Sequence, residues 1–181
     1  MTDELALISQ LQNPTTKETA FKQLLSLYKE RLYWHVRKIV VSHDDADDVL
    51  QNTFIKIFKN IDNFKKDSKL YSWMYRIATN EAITFINKRA KEKNIDITEY
   101  QQQLVSNLDS DNWFTGDEIQ LILQKAIATL PQKQQLVFNM KYFDEMKYQQ
   151  ISEVLETSVG ALKASYHIAV KKIEQFIKNN N

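Results

Sequence analysis

Cysteine is absent, and glycine and proline occur only twice each (Gly116, Gly160, Pro14, Pro131). Without cysteine, and with three scattered histidines (His35, His43, His167) that share no ligand spacing, a structural zinc site or a disulfide framework is excluded. So few chain breakers argue against a hairpin-rich β protein and for long helices. No apolar run is long enough to span a bilayer, and no signal-peptide core follows Met1. The expectation is a soluble cytoplasmic protein with no membrane insertion. No Ser/His/Asp constellation and no glycine-rich phosphate loop occurs either, so nothing supports an enzyme, and no cofactor or metal is expected.

What the 181 residues contain is uneven charge. The net +1 hides a chain in three parts. Residues 1–95 carry 16 Lys/Arg against 12 Asp/Glu, residues 96–117 none against 5, and residues 118–181 8 against 6. Two basic segments thus flank an acidic connector.

Apolar residues recur at helical spacing through Phe21, Leu24, Leu25, Tyr28, Leu32, Val36 and Ile39. A second helix opens at Ser42, with Asp45 completing a capping-box-like pair, and carries Ala46, Val49, Leu50, Thr53, Phe54, Ile57 and Ile61 inward. A polar turn, residues 62–68, precedes a third helix from about Ser68 to Lys91. Residues 92–117 lose the period and read as a linker with one helical turn. Ile119, Ile122, Leu123, Ala126 and Ile127 start a second core. From Leu130-Pro131 the chain reads as a helix, then a short helix Tyr148–Leu155, a turn Glu156-Thr157-Ser158, and a basic helix Val159–Lys178. That is a helix-turn-helix, with Ser158 as the cap of its second helix. The fold class expected is all-α: two small helical domains, 1–91 (three-helix type) and 118–181 (helix-turn-helix), joined by a flexible acidic linker, 92–117.

Three constellations carry candidate chemistry. In the run Asp44-Asp45-Ala46-Asp47-Asp48, carboxylates in a helix's first turn complement its dipole, a better account than a metal site. Asp48, Gln51, Asn52 and Ile55 fall opposite the apolar stripe, a polar face with one apolar side chain that suits protein docking. The segment Asn63, Phe64, Lys65, Lys66, Lys69, Tyr71, Trp73 and Arg76 interleaves cations and aromatics. It reads either as a solvated loop with core aromatics or as a site for unpaired, flipped-out bases. On the last helix, Leu162, Tyr166, Ala169 and Ile173 face inward. Lys163, Ala164, His167, Ile168 and Lys171 face outward, with Lys172 beside them. This is either an ordinary basic surface or a groove reader, in which Lys163 and His167 reach bases and Lys171 and Lys172 reach phosphates.

In this order, the pieces resemble a bacterial RNA polymerase sigma factor of the extracytoplasmic-function (ECF) group, over about residues 20–178. Asp44 to Phe54 is similar to that family's polymerase-clamp-binding helix in its second conserved region. Tyr71-Ser72-Trp73-Met74-Tyr75-Arg76-Ile77-Ala78-Thr79-Asn80-Glu81-Ala82 is similar to its melting and −10-reading helix. Leu130 to Lys163 is similar to its −35-reading fourth region. The resemblance implies that Asp48 and Gln51 meet the clamp coiled coil of core polymerase, within a docking face that includes Asn52 and Ile55. It implies that the loop Asn63–Lys69 holds a flipped −10 base with Trp73 near the fork, and that Lys163, Ala164, His167 and Ile168 face −35 DNA. Ser158 would open that helix, and the acidic linker would thread toward the RNA-exit path. The implied partners are core polymerase (clamp helices and flap), promoter DNA both duplex and single-stranded, and an anti-sigma factor of the kind many relatives have.

Some residues depart from the family pattern. Ser165, Ile168 and Val170 stand where arginine is common, which removes bidentate guanine contacts. Glu156 stands where the turn often has glycine, at a cost on the order of 1 kcal/mol if it is left-handed. Met74 follows Trp73 where primary sigma factors have a second tryptophan, so melting is expected to tolerate fewer promoter mismatches. Two other functions fit parts of the sequence. A stand-alone helix-turn-helix regulator would bind paired half-sites as a dimer. A helical protein adaptor would show no salt-dependent DNA binding.

Overall fold

A computed structural model describes residues 4–65, 67–106 and 118–180, and every regular element among them is helical. The order is α1 (Glu4–Leu11), α2 (Lys17–Val40), α3 (His43–Asn60), a 3-10 turn (Ile61–Asn63), α4 (Leu70–Glu92), α5 (Ile97–Ser106), α6 (Glu118–Ala128), α7 (Gln132–Tyr142), α8 (Tyr148–Leu155) and α9 (Val159–Asn179).

Helices α2, α3 and α4 pack mutually into an N-terminal bundle. The apolar stripe of α3 is buried as its spacing predicts, from Ala46 through Ile57 and on to Ile61. The Ser42 hydroxyl accepts from the Asp45 amide at 3.4 Å, and Asp44 and Asp45 lie in the first turn where the helix dipole favours them. The periodicity did not mark α1. It buries Leu7, Ile8 and Leu11 against the bundle, and the segment around it pins the 61–70 connection at both ends. Gln12 Nε2 donates to the Ile61 and Phe64 carbonyls at 3.1 and 3.0 Å. Lys17 pairs with Asp62 at 2.6 Å, and the Glu4 carboxylate accepts from the Leu70 amide at 3.0 Å, satisfying an orphan donor of α4.

Two sequence expectations need correction. The stretch after α4 holds more than one helical turn. Over Ile97–Ser106 it is a full helix that packs on α4 and α6 and buries Tyr100, Gln101 and Val105. Ile97, Tyr100, Gln101, Leu104 and Val105 recur at helical spacing, but the surrounding glutamines masked that stripe. The rest of the expected linker, residues 107–117, lies outside the described residues. Ile119, expected in the second core, is 77 % exposed in the first turn of α6, about two turns ahead of the buried Ala126 and Ile127.

The C-terminal helices form their own core around Ala126, Ile127, Leu130, Phe138, Ala169 and Ile173, with Phe138 stacked on Tyr142 and Tyr166. A second face of this bundle continues the N-terminal core: Leu136, Val137, Met140, Met146, Ile151, Val154 and Leu162 join one apolar cluster with α2 and α4. Helix α8 lies on α4, and α7 touches α2. The chain is therefore closed, with its helix-turn-helix against the first bundle.

Candidate nucleic-acid interface

The helix-turn-helix has the local chemistry its sequence announces. Gln150 accepts from the Lys147 amide at 2.9 Å and starts α8, and Ser158 accepts from the Ala161 amide at 3.3 Å and starts α9. Between them Glu156 takes φ 51°, ψ 40°, the left-handed conformation usually left to glycine. Gly160 has open space where a side chain would stand, so this turn of α9 offers a bare backbone outward.

On α9, Leu162, Ala169 and Ile173 are buried, and Lys163, Ala164, His167, Ile168, Lys171 and Lys172 are all exposed. The structure thus brings the −35 candidates onto the outer side of one helix, with Ser158 at its start. Lys163 Nζ lies 5.9 Å from the Tyr148 ring centroid, which holds it near the helix entrance.

On α3, Asp48, Gln51, Asn52 and Ile55 are all exposed, and Ile55 is half accessible at 50 %. They share the face turned away from the buried stripe and form one continuous strip.

The −10 candidates divide. Asn63, Lys65 and Lys69 are exposed on the loop; Lys66 lies outside the described residues. Phe64 is only 6 % exposed, and its ring packs 5.1 Å from that of Trp73. It is the floor beneath the loop and leaves the set of base-contacting residues, because its apolar surface is spent on the core. Trp73, half-buried, keeps one side open. Tyr71 is packed 6.3 Å from Tyr28 and 4.2 Å from Tyr75. Burial raises the Tyr71 phenol above its usual range, and burial followed by the hydrogen bond to Tyr71 raises Tyr75 much further, so both are neutral phenols. Arg76 is turned toward the C-terminal bundle: its Nε donates to the Glu153 carbonyl at 3.1 Å, and Nη1 pairs with Glu156 at 3.1 Å.

Sequence reasoning missed a buried polar group between the bundles. His35 is 1 % exposed. Its Nδ1 lies 2.8 Å from Asp144 Oδ2, and its Nε2 lies 2.8 Å from Thr79 Oγ1. Lys38 pairs with the other oxygen of Asp144. Burial alone would push the Asp144 carboxyl up, but the His35 hydrogen bond and the charges of His35 and Lys38 outweigh it and hold Asp144 below the usual carboxylate value. The Thr79 hydroxyl donates its proton to the Tyr75 carbonyl at 2.7 Å, so it accepts from His35 Nε2. The ring is thus bound at both nitrogens, by a carboxylate on one side and a hydroxyl on the other. No single motif marks this group, since its members lie on α2, α4 and the corner after α7.

No group of three or more His, Asp or Glu able to hold a metal occurs among the described residues. None of the described helices is long and apolar enough to cross a membrane.

Comparison with known proteins agrees with this geometry. The family model for sigma-70 region 2 matches residues 24–92, and that for sigma-70 region 4 matches residues 120–173. The ECF RNA polymerase sigma factor SigW of Bacillus subtilis is 30 % identical over 158 residues, covering 83 % of this chain and 84 % of that protein. The ECF sigma-E factor of Escherichia coli K12 is 26 % identical, covering 98 % of this chain and 95 % of that one. Among solved structures, CnrH in complex with the cytosolic domain of CnrY superposes with a TM-score of 0.73 at 20 % identity, over 98 % of this chain and 99 % of that one. The sigma factor RpoE in complex with the anti-sigma factor NepR from Bartonella quintana gives 0.67 at 23 % identity, over 89 % and 98 %. Two regions of one family in their expected order do not fit a stand-alone helix-turn-helix regulator. The chain belongs to the ECF sigma factors and directs promoter-specific initiation of transcription by RNA polymerase.

Proposed function

We propose a division of labour within the chain. Residues 1–91 grip core polymerase and an unpaired strand, residues 118–181 read duplex DNA, and residues 92–117 connect them. Asp48, Gln51, Asn52 and Ile55 on α3 meet the clamp coiled coil. Asn63, Lys65, Lys66 and Lys69, with Trp73 at the edge of the loop, hold a base flipped from the −10 element. Arg76 follows one turn along α4. Flipping and unstacking cost a few kcal/mol, which polymerase docking and phosphate contacts offset. Lys163, Ala164, His167 and Ile168 face −35 base edges, while Lys171 and Lys172 take phosphates and add salt dependence without sequence reading.

The observation that carries this reading is the exposure of the two strips. Each is a run of polar and isolated apolar side chains turned away from a filled core, one on α3 and one on α9. The chain supplies specificity and melting, with no catalysis of its own, and acts in the cytoplasm where polymerase and promoter meet. CnrH and RpoE were solved with CnrY and NepR, and an inhibitor of that class is a further proposed partner here.

Run-off transcription with purified core polymerase tests the docking face. Asp48→Arg with Gln51→Ala should abolish core binding and promoter-directed transcripts while leaving the helical circular dichroism unchanged. Intact polymerase affinity in that variant would remove the assignment.

A further inference from the structure

Between Gly160 and Lys172 the last helix carries no arginine, asparagine or glutamine. Of the side chains that read guanine or adenine through paired hydrogen bonds in a major groove, only lysine is present. The outward surface of α9 divides into two rows instead. Lys163, His167 and Lys171, one turn apart, make a polar row, and Gly160, Ala164 and Ile168 make a second row with no polar side-chain atom; all six residues are exposed. Bulk grows along the second row from the start of the helix. At Gly160 the space where a Cβ would stand is open, Ala164 presents one methyl group, and Ile168 is 45 % exposed. Among the described residues of α9, Ile168 is the one large apolar side chain left outside the core. A recognition helix meets base edges with its first turns, so a bare start lets the backbone approach and a longer side chain reaches the bases from farther out.

We propose that Ile168, with Ala164 one turn before it, packs against the 5-methyl group of a thymine in the −35 element and selects that base. The proposal rests on the reading that α9 faces −35 DNA, and it names the base preferred there. Thymine alone among the four bases shows a methyl group in the major groove. Ala164 and Ile168 stand about 6 Å apart along the helix, leaving a notch that one methyl group fills. Any other base is penalised at the same place. Cytosine would leave its amino donor without a partner against Ile168, and a purine would leave its acceptors dehydrated and unpaired. Selection therefore works by rejection as well as by attraction. The neighbouring row of Lys163, His167 and Lys171 supplies the polar and phosphate contacts that fix the register. An apolar protein surface is the other class of partner such a row could take.

Run-off transcription by core polymerase carrying the full chain, on templates randomised through the −35 element, should enrich at least one A·T pair in a fixed orientation. In the enriched promoter each −35 thymine is then replaced singly by deoxyuridine, which removes the methyl group and nothing else. Holoenzyme affinity, read by competition, should fall about fourfold at one position, the worth of one buried methyl-sized group. This arm needs no altered protein. Ile168→Ala should bind the thymine and deoxyuridine promoters equally at that position. Ile168→Val, which keeps a branched apolar side chain, should retain part of the discrimination. Ile168 is exposed, so both substitutions should leave the helical circular dichroism unchanged.

Three results would overturn the proposal: an enriched −35 element made only of G·C pairs, a thymine preference that deoxyuridine satisfies equally well, or a deoxyuridine loss that Ile168→Ala leaves unchanged. Equal loss of transcription by Ile168→Ala on both templates, when the unaltered chain does not tell them apart, would give the row to a protein surface instead. Failure of the groove reading is separable, because it would appear as templates enriched with no −35 preference at all, and it would remove this proposal with it.

Discussion

Glu156→Gly sets two effects of Glu156 against each other. Its backbone sits at φ 51°, ψ 40°, where a Cβ crowds the following carbonyl at a cost on the order of 1 kcal/mol. Glycine removes that cost, and its freedom in the unfolded chain takes back part of the gain. Against it stands the loss of the pair to Arg76 at 3.1 Å. The Glu156 side chain is 74 % exposed, so solvent screening limits that pair to roughly 0.5 kcal/mol or less. The backbone effect should therefore win, with a net stabilisation of about 0.5 kcal/mol, or roughly 1–2 °C in the melting temperature of the full chain. Glu156→Ala keeps the left-handed Cβ and loses the pair, so it should lower the melting temperature slightly. Thermal unfolding of both variants, followed by circular dichroism, separates the terms. A glycine variant that melts no higher than the alanine variant would show that the strain argument fails at this turn.

Ser158→Ala removes the cap on the Ala161 amide and should cost about 1 kcal/mol in chemical denaturation, with −35-dependent transcription falling as the start of α9 frays; an unchanged denaturation midpoint would deny the cap its role. Lys163→Ala should weaken transcription from a −35-dependent promoter by several-fold, whereas Lys178→Ala, far along the same helix, should barely change it; equal effects would count against groove reading. The closed packing should also depend on acid in one direction only. Asp144 is held below the usual carboxylate value of 3.8, with His35 and Lys38 facing it from α2 and Tyr71 and Tyr75 near it on α4. Its contribution is therefore fully present above that value and lost as pH falls through the depressed one. Energy transfer between the two bundles should stay constant from pH 6 to 5 and drop only below about pH 4; opening within the higher range would contradict this assignment of charge.

Much of the fold was legible because local chemistry and core burial agree in α3 and in the helix-turn-helix. Ser42 and Ser158 mark helix starts, and the buried residues that follow keep an unbroken helical period. The missed elements are those where such signals are short or diluted. Helix α1 has eight residues, too few for a period to stand out, and its stability comes from packing. In α5 three consecutive glutamines hide an amphipathic stripe. Interleaved cations and aromatics between Asn63 and Arg76 located a candidate site but could not say which rings the core would take. Phe64 went inside, Tyr71 packed between Tyr28 and Tyr75, and Trp73 stayed at the edge. The contact between bundles had no local signature, since His35 and Asp144 are 109 positions apart and each reads alone as an unremarkable polar residue.

Three ties hold the Asn63–Lys69 loop from outside itself: Gln12 on two carbonyls at its root, Lys17 on Asp62, and Glu4 on the first amide beyond it. Its ends are therefore set during folding, before any nucleotide arrives. In the base-holding role proposed for the loop, the entropy of fixing those ends is not charged again when DNA binds, which favours discrimination by fit over induced ordering.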